Sequence, residues 1–150
     1  MRALSLLGCV WLFLSCLCVA QESPEYRACG DKAKNQVEIN SCAVDESKRA
    51  DAELNRVYSE LLVKVNKDAA VVSKVKAAER SWITYRDAYI EAMYPATNKQ
   101  SAYGSMYAMQ VNLLGAKLTR QQTAALNDLL KKHESVEADS NETRDSLKWH

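Results

Sequence analysis

The feature that most constrains this chain is a stretch, residues 35–65, that contains neither Gly nor Pro. Apolar or small side chains recur in it at steps of three and four, which is the spacing of one face of an α-helix. Asn35, with Glu38 three residues later, has the pattern of a capping box. The sequence therefore predicts one helix over 35–65, about 45 Å long at ~1.5 Å per residue. Its predicted inner face consists of Val37, Ser41, Val44, Ser47, Asp51, Leu54, Tyr58, Leu61 and Val65.

Two further helices are predicted from the same spacing. Asp68 is placed to cap the second helix, which is expected to stop at Tyr94 because Pro95 disfavours helix at the residue before it. The third helix is predicted to start near Ser101. The apolar face of the second helix consists of Val72, Val75, Ala78, Trp82, Tyr85, Tyr89 and Met93. The apolar positions of the third are Tyr103, Met106, Gln110, Leu113, Leu114, Leu118, Ala125 and Leu129.

The scarcity of turn residues decides the fold class. Four Gly and two Pro in 150 residues are too few for a sandwich or a barrel. Three amphipathic helices with short connections must lie antiparallel to bury their apolar faces. The predicted fold is all-α, one antiparallel up-down-up three-helix bundle over 35–132, locally weakened at Gly104 and Gly115. Residues 133–150 are so polar that a disordered tail is expected.

The N-terminal residues 1–20 have the layout of a secretory signal peptide. A positive residue precedes an apolar stretch shorter than the ~20 residues of a membrane span, and small residues stand at the cleavage positions. Cleavage is predicted after Ala20, which sends the protein to the periplasm or the medium. The alternatives are a lipoprotein modified at Cys16 and a retained anchor.

The cysteine count supports export and gives a geometric prediction. Cleavage leaves Cys29 and Cys42 of the five cysteines, and such a pair forms a disulfide by default in an oxidising compartment. On one straight helix their Cα atoms would be roughly 20 Å apart, whereas a disulfide requires about 4.4–6.8 Å. Residues 21–34 are therefore predicted to form an arm that bends near Gly30 and folds back along the first helix.

The composition argues against several kinds of chemistry. With 20 Lys+Arg against 19 Asp+Glu there is no basic field for nucleic acid. Two cysteines, with His133 and His150 far along the chain, do not make a metal site. No phosphate loop or nucleophile motif is present, so neither an enzyme nor a cofactor is expected. Some carboxylates are interpreted as solvated or ion-paired helix faces: Asp45, Glu46, Asp51, Glu53 and Asp87.

Two polar and aromatic clusters are unusual. In the second helix, Trp82 and Tyr85 are interpreted as bundle core, with Arg86 and Asp87 at its edge. In the first helix, the cluster consists of Asp51, Asn55 and Tyr58. Because an unpaired buried polar group is costly, Asp51 or Asn55 is expected to bond across to the second helix, with Arg86 as the best partner.

These clusters, in this order, resemble the LprI-like lysozyme-inhibitor family of the bacterial envelope. The resemblance covers roughly 29–130 and implies a small secreted helical domain, the Cys29–Cys42 bridge and inhibition of lysozyme. The segments that carry it are 36–43 (QVEINSCA), 50–58 (ADAELNRVY), 78–88 (AERSWITYRDA) and, more weakly, 118–123 (LTRQQT).

The chain departs from the family pattern at two places. Ile90 and a position near Leu114 stand where the family often has a second pair of cysteines, so a hydrophobic contact is expected there. Residues 101–105 (SAYGS) replace the family's Gly-Gly-Ser loop. If that loop contacts the target, the target of this chain differs.

The expected function is binding. The leading hypothesis is an inhibitor that occludes the substrate cleft of a lysozyme-type muramidase, and the alternative is a periplasmic immunity or adaptor protein for another toxin or secreted enzyme. A structural or stress-related envelope protein is a third. A cationic lysozyme calls for an acidic patch on its inhibitor. Asp45, Glu46, Asp51 and Glu53 could form one, but Lys48, Arg49 and Arg56 dilute it, which counts against the leading hypothesis. The candidate target-binding residues lie in the 94–105 connection: Tyr94, Asn98, Lys99, Gln100, Ser101 and Tyr103.

Overall fold

The computed structural model describes residues 22–146, and side chains as far as residue 136. The predicted signal peptide over 1–20 lies outside the described residues. All regular structure in the described part is helical, which confirms the all-α class. The elements are α1 (Pro24–Gly30), α2 (Gln36–Lys64), α3 (Ala69–Met93), α4 (Lys99–Tyr103), a 3₁₀ turn (Gly104–Met106) and α5 (Tyr107–Ser146).

The predicted caps set the starts of the two long helices α2 and α3. The Asn35 side chain accepts a hydrogen bond from the Glu38 N–H at 3.0 Å, and the Glu38 carboxylate accepts from the Lys34 N–H at 2.8 Å. Asp68 accepts from the N–H groups of Ala70 and the following residue. Each cap satisfies backbone donors that have no partner inside the helix.

Helix α2 is central, and α5 packs closely along it. The start of α2 contacts Met109 and Leu113 of α5, whereas the end of α2 packs against Leu126 and the residues after it. The two helices therefore run in the same direction. Helix α3 runs the opposite way, since Glu79 bonds to Gln122 and Ile90 lies near Gly115. The backbone of α3 stands further from both neighbours.

The inner face of α2 differs from the prediction in its first half. The buried residues are Cys42, Ala43, Glu46, Ala50, Leu54, Val57 and Leu61. Val37, predicted to face inward, is 77% exposed. The error arose because Ser, Ala and Asp alternate here and give a weak hydrophobic signal. Small buried residues on both helices, Ala43 and Ala50 on α2 and Ala116 on α5, allow the close approach of the two backbones.

The N-terminal arm folds back as predicted. Cys29 and Cys42 form a disulfide with their Cα atoms 5.7 Å apart, which confirms the predicted pairing. The arm contains a short helix, α1. Its N-cap is Ser23, whose hydroxyl oxygen accepts a hydrogen bond from the Tyr26 N–H at 3.0 Å. Tyr26 is buried against Cys42 and Ala43, so the arm contributes to the core.

The third predicted helix is divided, and it extends further than expected. Gly104 has φ of +65°, a conformation that other residues rarely adopt, and it separates α4 from α5. Helix α5 then continues to Ser146, whereas the sequence places its end at Lys132. The reason is that no Gly or Pro follows Gly115, so a helix already formed can propagate through polar residues. No helix within residues 22–146 is long and apolar enough to cross a membrane.

Removing the disulfide should destabilise the fold. Cys29→Ser combined with Cys42→Ser is expected to lower the free energy of unfolding by about 3 kcal/mol, because the bridge restricts the unfolded chain. Urea denaturation followed by circular dichroism measures the change. The double variant should not respond to reductant, whereas the native protein in dithiothreitol should unfold at the urea midpoint of the variant. An unchanged midpoint in reductant would contradict a stabilising bridge.

The two glycines of the third predicted helix should respond oppositely to alanine. In Gly115→Ala the new Cβ would lie 3.9 Å from Ser47 Oγ and 4.0 Å from Ile90 Cδ1, which is ordinary contact. The gain in helix propensity should raise the free energy of unfolding by about 1 kcal/mol. Gly104→Ala should lower it by about 1 kcal/mol, because alanine is strained at positive φ. Thermal denaturation of both variants tests this assignment.

Candidate functional site

The connection between α3 and α5, residues 94–106, is built on three tyrosine rings. The ring centroids of Tyr94 and Tyr103 are 5.3 Å apart, and those of Tyr94 and Tyr107 are 5.4 Å apart, both edge to face. Tyr103 and Tyr107 stack at 5.7 Å. Burial raises the pKa of Tyr94, so its hydroxyl stays protonated. The aromatic cluster gives this segment a small core of its own.

Hydrogen bonds inside the connection fix its path. The Tyr103 hydroxyl accepts from the Ala96 N–H at 3.1 Å. The Asn98 side chain accepts from the Ser101 N–H at 2.9 Å and thereby caps α4. These bonds satisfy backbone donors that a loop would otherwise expose to water.

Two further contacts join the connection to the helices. Lys99 Nζ donates to Glu91 Oε2 at 2.7 Å and to the carbonyl of Tyr94. The bond to Glu91 raises the pKa of Lys99. Asn40 Nδ2, at the start of α2, donates to the carbonyl of Ser105 at 3.0 Å. The connection is thus held at both ends.

The six predicted target-binding residues fall into two groups. Tyr94, Asn98, Lys99 and Tyr103 make the internal contacts just described. Gln100 and Ser101 are exposed, and no hydrogen bond from either side chain is found among the described residues. This division could not be predicted from the sequence, because polar residues that stabilise a loop and polar residues that bind a target are of the same types.

A second concave region, here called the α2–α3 groove, has a volume of about 420 Å³. It brings together five of the seven residues in the two unusual sequence clusters. Tyr85 is not among them, and Asp87 lines a smaller adjoining cavity of about 220 Å³ instead. The groove is lined by Asp51, Leu54, Asn55, Tyr58, Lys76, Glu79, Arg80, Trp82, Ile83 and Arg86.

The polar partners across the bundle differ from those predicted. Asp51 accepts from the Thr119 hydroxyl on α5 at 3.2 Å, not from Arg86. The Arg86 guanidinium pairs with Asp87 at 2.9 Å and lies 5.2 Å from the Trp82 ring centroid. Thr119 is fully buried on the helix that packs closest to α2, whereas α3 stands further away. Asp51 therefore finds its partner on α5.

Helix α3 is also turned relative to the prediction. Its inward side includes Val75, Glu79 and Trp82, whereas Tyr85 is 56% and Met93 52% exposed. The interpretation of Tyr85 as core was wrong. The hydrophobic pattern failed here because the inward face is partly polar, at Glu79, and the outward face carries Tyr85 and Tyr89.

Glu46 is a buried group whose importance the sequence analysis missed. Its side chain is 1% exposed and receives hydrogen bonds from Ser23 Oγ at 2.6 Å, from Arg49 at 2.6 Å and from Arg120. Burial opposes ionisation, but these three donors outweigh it and lower the pKa of Glu46. The cluster connects the segment before α1 with α2 and α5. Its position four residues after Cys42 was the available signal, since that spacing shares a helix face.

The four carboxylates do not form an acidic surface free of basic partners. Besides the burial of Glu46, Asp45 pairs with Lys48 and Glu53 pairs with Arg56. The hydrogen bond from Arg56 lowers the pKa of Glu53. Within residues 22–136 no group of three His, Cys, Asp or Glu side chains is arranged to hold a metal ion.

Comparison with known proteins places this disulfide-bonded helical domain in a class of inhibitors. Residues 29–126 match the family described as "Lysozyme inhibitor LprI", and the chain belongs to that family. The match runs from the first bridge cysteine through α2, α3 and half of α5, and it confirms the resemblance seen in the sequence. The family consists of extracytoplasmic lysozyme inhibitors and is not an enzyme family.

The chain is also similar to a bacterial relative. It is 34% identical over 138 residues to "Uncharacterized protein R02472" of Rhizobium meliloti (strain 1021), and the alignment covers 83% of this chain and 94% of the relative. No solved structure matches the chain.

The Glu46 cluster predicts a specific pH dependence. Because the folded pKa of Glu46 is below its usual value of 4.5, its contribution is complete above about pH 4.5 and is lost as the pH falls through the folded pKa. Glu46→Gln should lower the free energy of unfolding by about 2 kcal/mol at pH 7. The difference from the native protein should shrink at pH 3, as measured by urea denaturation.

Glu53→Gln is the matched control, because the Glu53–Arg56 pair is exposed and such pairs contribute little. It should change stability only slightly at either pH. Equal effects of the two substitutions at pH 7 would contradict a special role for the buried carboxylate.

Proposed function

We propose that this protein is exported after cleavage of residues 1–20 and inhibits a lysozyme-type muramidase by placing the 94–106 connection in the substrate cleft. Membership of the lysozyme inhibitor family over residues 29–126 is the observation that carries this proposal. The family implies a protein partner, and the connection is the segment best suited to enter a cleft.

The geometry of the connection supports this mode of binding. It lies at the end of the bundle where α3 stops and α5 begins, and it exposes Asn98, Gln100, Ser101 and Met106. Because the tyrosine cluster and Lys99 already fix its path, little conformational entropy is lost on binding. An interface of about 800 Å² per partner would be typical of a stable inhibitor complex.

The chemistry of the exposed residues also fits a glycoside hydrolase cleft. Such enzymes carry a pair of Asp or Glu side chains at the scissile bond, and these accept hydrogen bonds. The Gln100 amide and the Ser101 hydroxyl are exposed donors on α4, within the connection. They would occupy the cleft without supplying a hydrolysable bond.

The charge distribution indicates how the complex would depend on salt. The acidic side chains of α2 are buried or paired with their neighbours. The net charge of +1 for the full chain falls to zero when Arg2 is removed with residues 1–20. Electrostatic steering toward a cationic lysozyme is therefore weak. Shape and hydrogen bonding would provide the affinity, so association should vary little with ionic strength.

A periplasmic immunity or adaptor protein for another toxin or secreted enzyme is the second candidate function. The altered sequence at 101–105 favours it, because this is the exposed segment that would contact the target. The same connection would make the contact in either case. The two candidates differ in the identity of the target and not in the surface.

A lysis assay with killed bacterial cells tests the leading proposal. The purified protein, titrated against lysozymes of the c, g and i types, should inhibit at least one of them at tens of micromolar or below. Ser101→Arg should weaken inhibition at least about tenfold, or ~1.4 kcal/mol, because a bulky charge at this exposed position would not fit the cleft. Calorimetry with the inhibited lysozyme should give the same loss.

The matched control is Asn66→Arg, in the exposed turn between α2 and α3 at the opposite end of the bundle. It should inhibit like the native protein. If the native protein inhibits none of these lysozymes, the lysozyme proposal is overturned. A pull-down from envelope extract then tests the second candidate function. Inhibition unaffected by Ser101→Arg would leave the lysozyme proposal standing and exclude the connection as the binding surface.

A further inference from the structure

The α2–α3 groove is open because the backbone of α3 comes close to that of α2 at very few positions, whereas α2 and α5 pack along their length. Its volume of about 420 Å³ is within the range of ~300–1,000 Å³ in which proteins bind small molecules. Its lining includes the buried side chains of Leu54 and Glu79 and the partly exposed rings of Tyr58 and Trp82. The groove therefore has the size and the aromatic lining of a site for a small ligand.

Two carboxylates in the groove have an oxygen that is left open. Glu79 is only 8% exposed, and its Oε2 accepts from Gln122 at 2.8 Å. Asp51 accepts from Thr119 through Oδ1. No hydrogen bond to Glu79 Oε1 or Asp51 Oδ2 is found among the described residues, and no unpaired polar atom of those residues is sealed from solvent. These two oxygens can accept hydrogen bonds from O–H or N–H groups of a ligand.

Donors and cations without a partner line the same groove. The Asn55 amide and the Tyr58 hydroxyl make no hydrogen bond among the described residues, and neither Lys76 nor Arg80 makes an ion pair there. Burial is the main cause that raises the pKa of Tyr58, with Glu79 acting in the same direction and Arg80 against it. The hydroxyl therefore stays protonated and can donate. Lys76 and Arg80 are exposed and lie four residues apart, on one side of α3.

This combination selects the chemical class of the ligand. Open carboxylate oxygens call for a ligand with O–H or N–H groups, whereas unpaired cations call for an anion. The third cation of the lining, Arg86, already pairs with Asp87, so an anion would contact Lys76 and Arg80. A sugar that carries a carboxylate meets both requirements, and the C–H groups of its ring can pack against aromatic side chains.

We propose that the α2–α3 groove is a binding site for an acidic amino sugar, the carboxylate-bearing unit of the bacterial cell wall. The carboxylate of the sugar pairs with Arg80 and Lys76, and its hydroxyl groups donate to Glu79 and Asp51. The groove itself defines the chemistry of the ligand, whereas the cell wall as its source rests on the proposed function. Binding would hold the inhibitor on the glycan that its target enzyme cleaves.

Tryptophan fluorescence measures this binding directly. After removal of residues 1–20 the chain contains Trp82 and Trp149, so Trp149→Phe leaves Trp82, in the groove, as the single reporter. Titration with N-acetylmuramic acid at constant pH and ionic strength should give a saturable change with a millimolar dissociation constant. N-acetylglucosamine, the same sugar without the lactyl carboxylate, should bind about tenfold more weakly. Equal affinities for the two sugars, or no binding by fluorescence and by ligand-observed NMR, overturn the proposal.

Two substitutions separate the carboxylate contact from the contacts to the sugar. Arg80→Gln should weaken binding of N-acetylmuramic acid about fivefold, which is the strength of an exposed ion pair, and should leave N-acetylglucosamine unaffected. Asn55→Ala should weaken binding of both sugars by the same factor, because its amide contacts the part that they share. Circular dichroism confirms that both variants are folded.

Arg27→Gln is the matched control, since Arg27 is an exposed arginine of α1 outside the groove. It should bind both sugars like the native protein. An equal loss in Arg27→Gln and Arg80→Gln would show a general attraction of charge and overturn the proposal.

Anions that lack the sugar test whether the groove requires it. Lactate carries the carboxylate alone, and alanylalanine carries a carboxylate with an ammonium group. Both should bind much more weakly than N-acetylmuramic acid, and equally tight binding of either overturns the sugar site. These measurements contain no lysozyme, so they fail or succeed separately from the inhibition assay. Sugar binding by a protein that inhibits no lysozyme would support the groove site and remove only the lysozyme target.

Discussion

The rest of the structure depends on a buried carboxylate. Glu46 lies where the N-terminal arm, α2 and α5 meet, and a charge there is tolerated only because Ser23, Arg49 and Arg120 all donate to it. An ionised group left without such donors would cost several kcal/mol. The carboxylate therefore fixes the register of α5 against α2. The small residues around it, Ala43 and Ala50 among them, bring the two backbones close enough for this arrangement.

The parts of the fold that local chemistry determines could be predicted from the sequence. The cap at Asn35, the cap at Asp68 and the bridge between Cys29 and Cys42 each depend on residues close together in the chain. The family resemblance was equally accessible. The orientation of each helix about its own axis was not, because it depends on which neighbour supplies a partner. Asp51 illustrates this point. Its partner Thr119 lies on α5, and no local pattern in the sequence shows how closely α5 packs against α2.

The candidate site was predictable as a segment but not residue by residue. The connection between α3 and α5 is marked by Pro95 and Gly104, which end and interrupt helices. Which of its polar side chains face a target depends on the fold of the connection itself. Tyr103 and Lys99 had the composition of binding residues, yet both hold the segment together. The partly polar inward face of α3 was not predicted for a related reason, since Tyr85 and Tyr89 favoured an orientation that would bury them.

The internal core of the connection has an evolutionary consequence. Its shape is set by the rings of Tyr94, Tyr103 and Tyr107, whereas Gln100 and Ser101 are exposed. Substitutions at Gln100 and Ser101 can therefore accumulate without refolding the segment. Under the proposed function, recognition and architecture would be encoded by separate residues within residues 94–107. A lineage with this arrangement can follow a changing target, or adopt a new one, while the bundle beneath it stays constant.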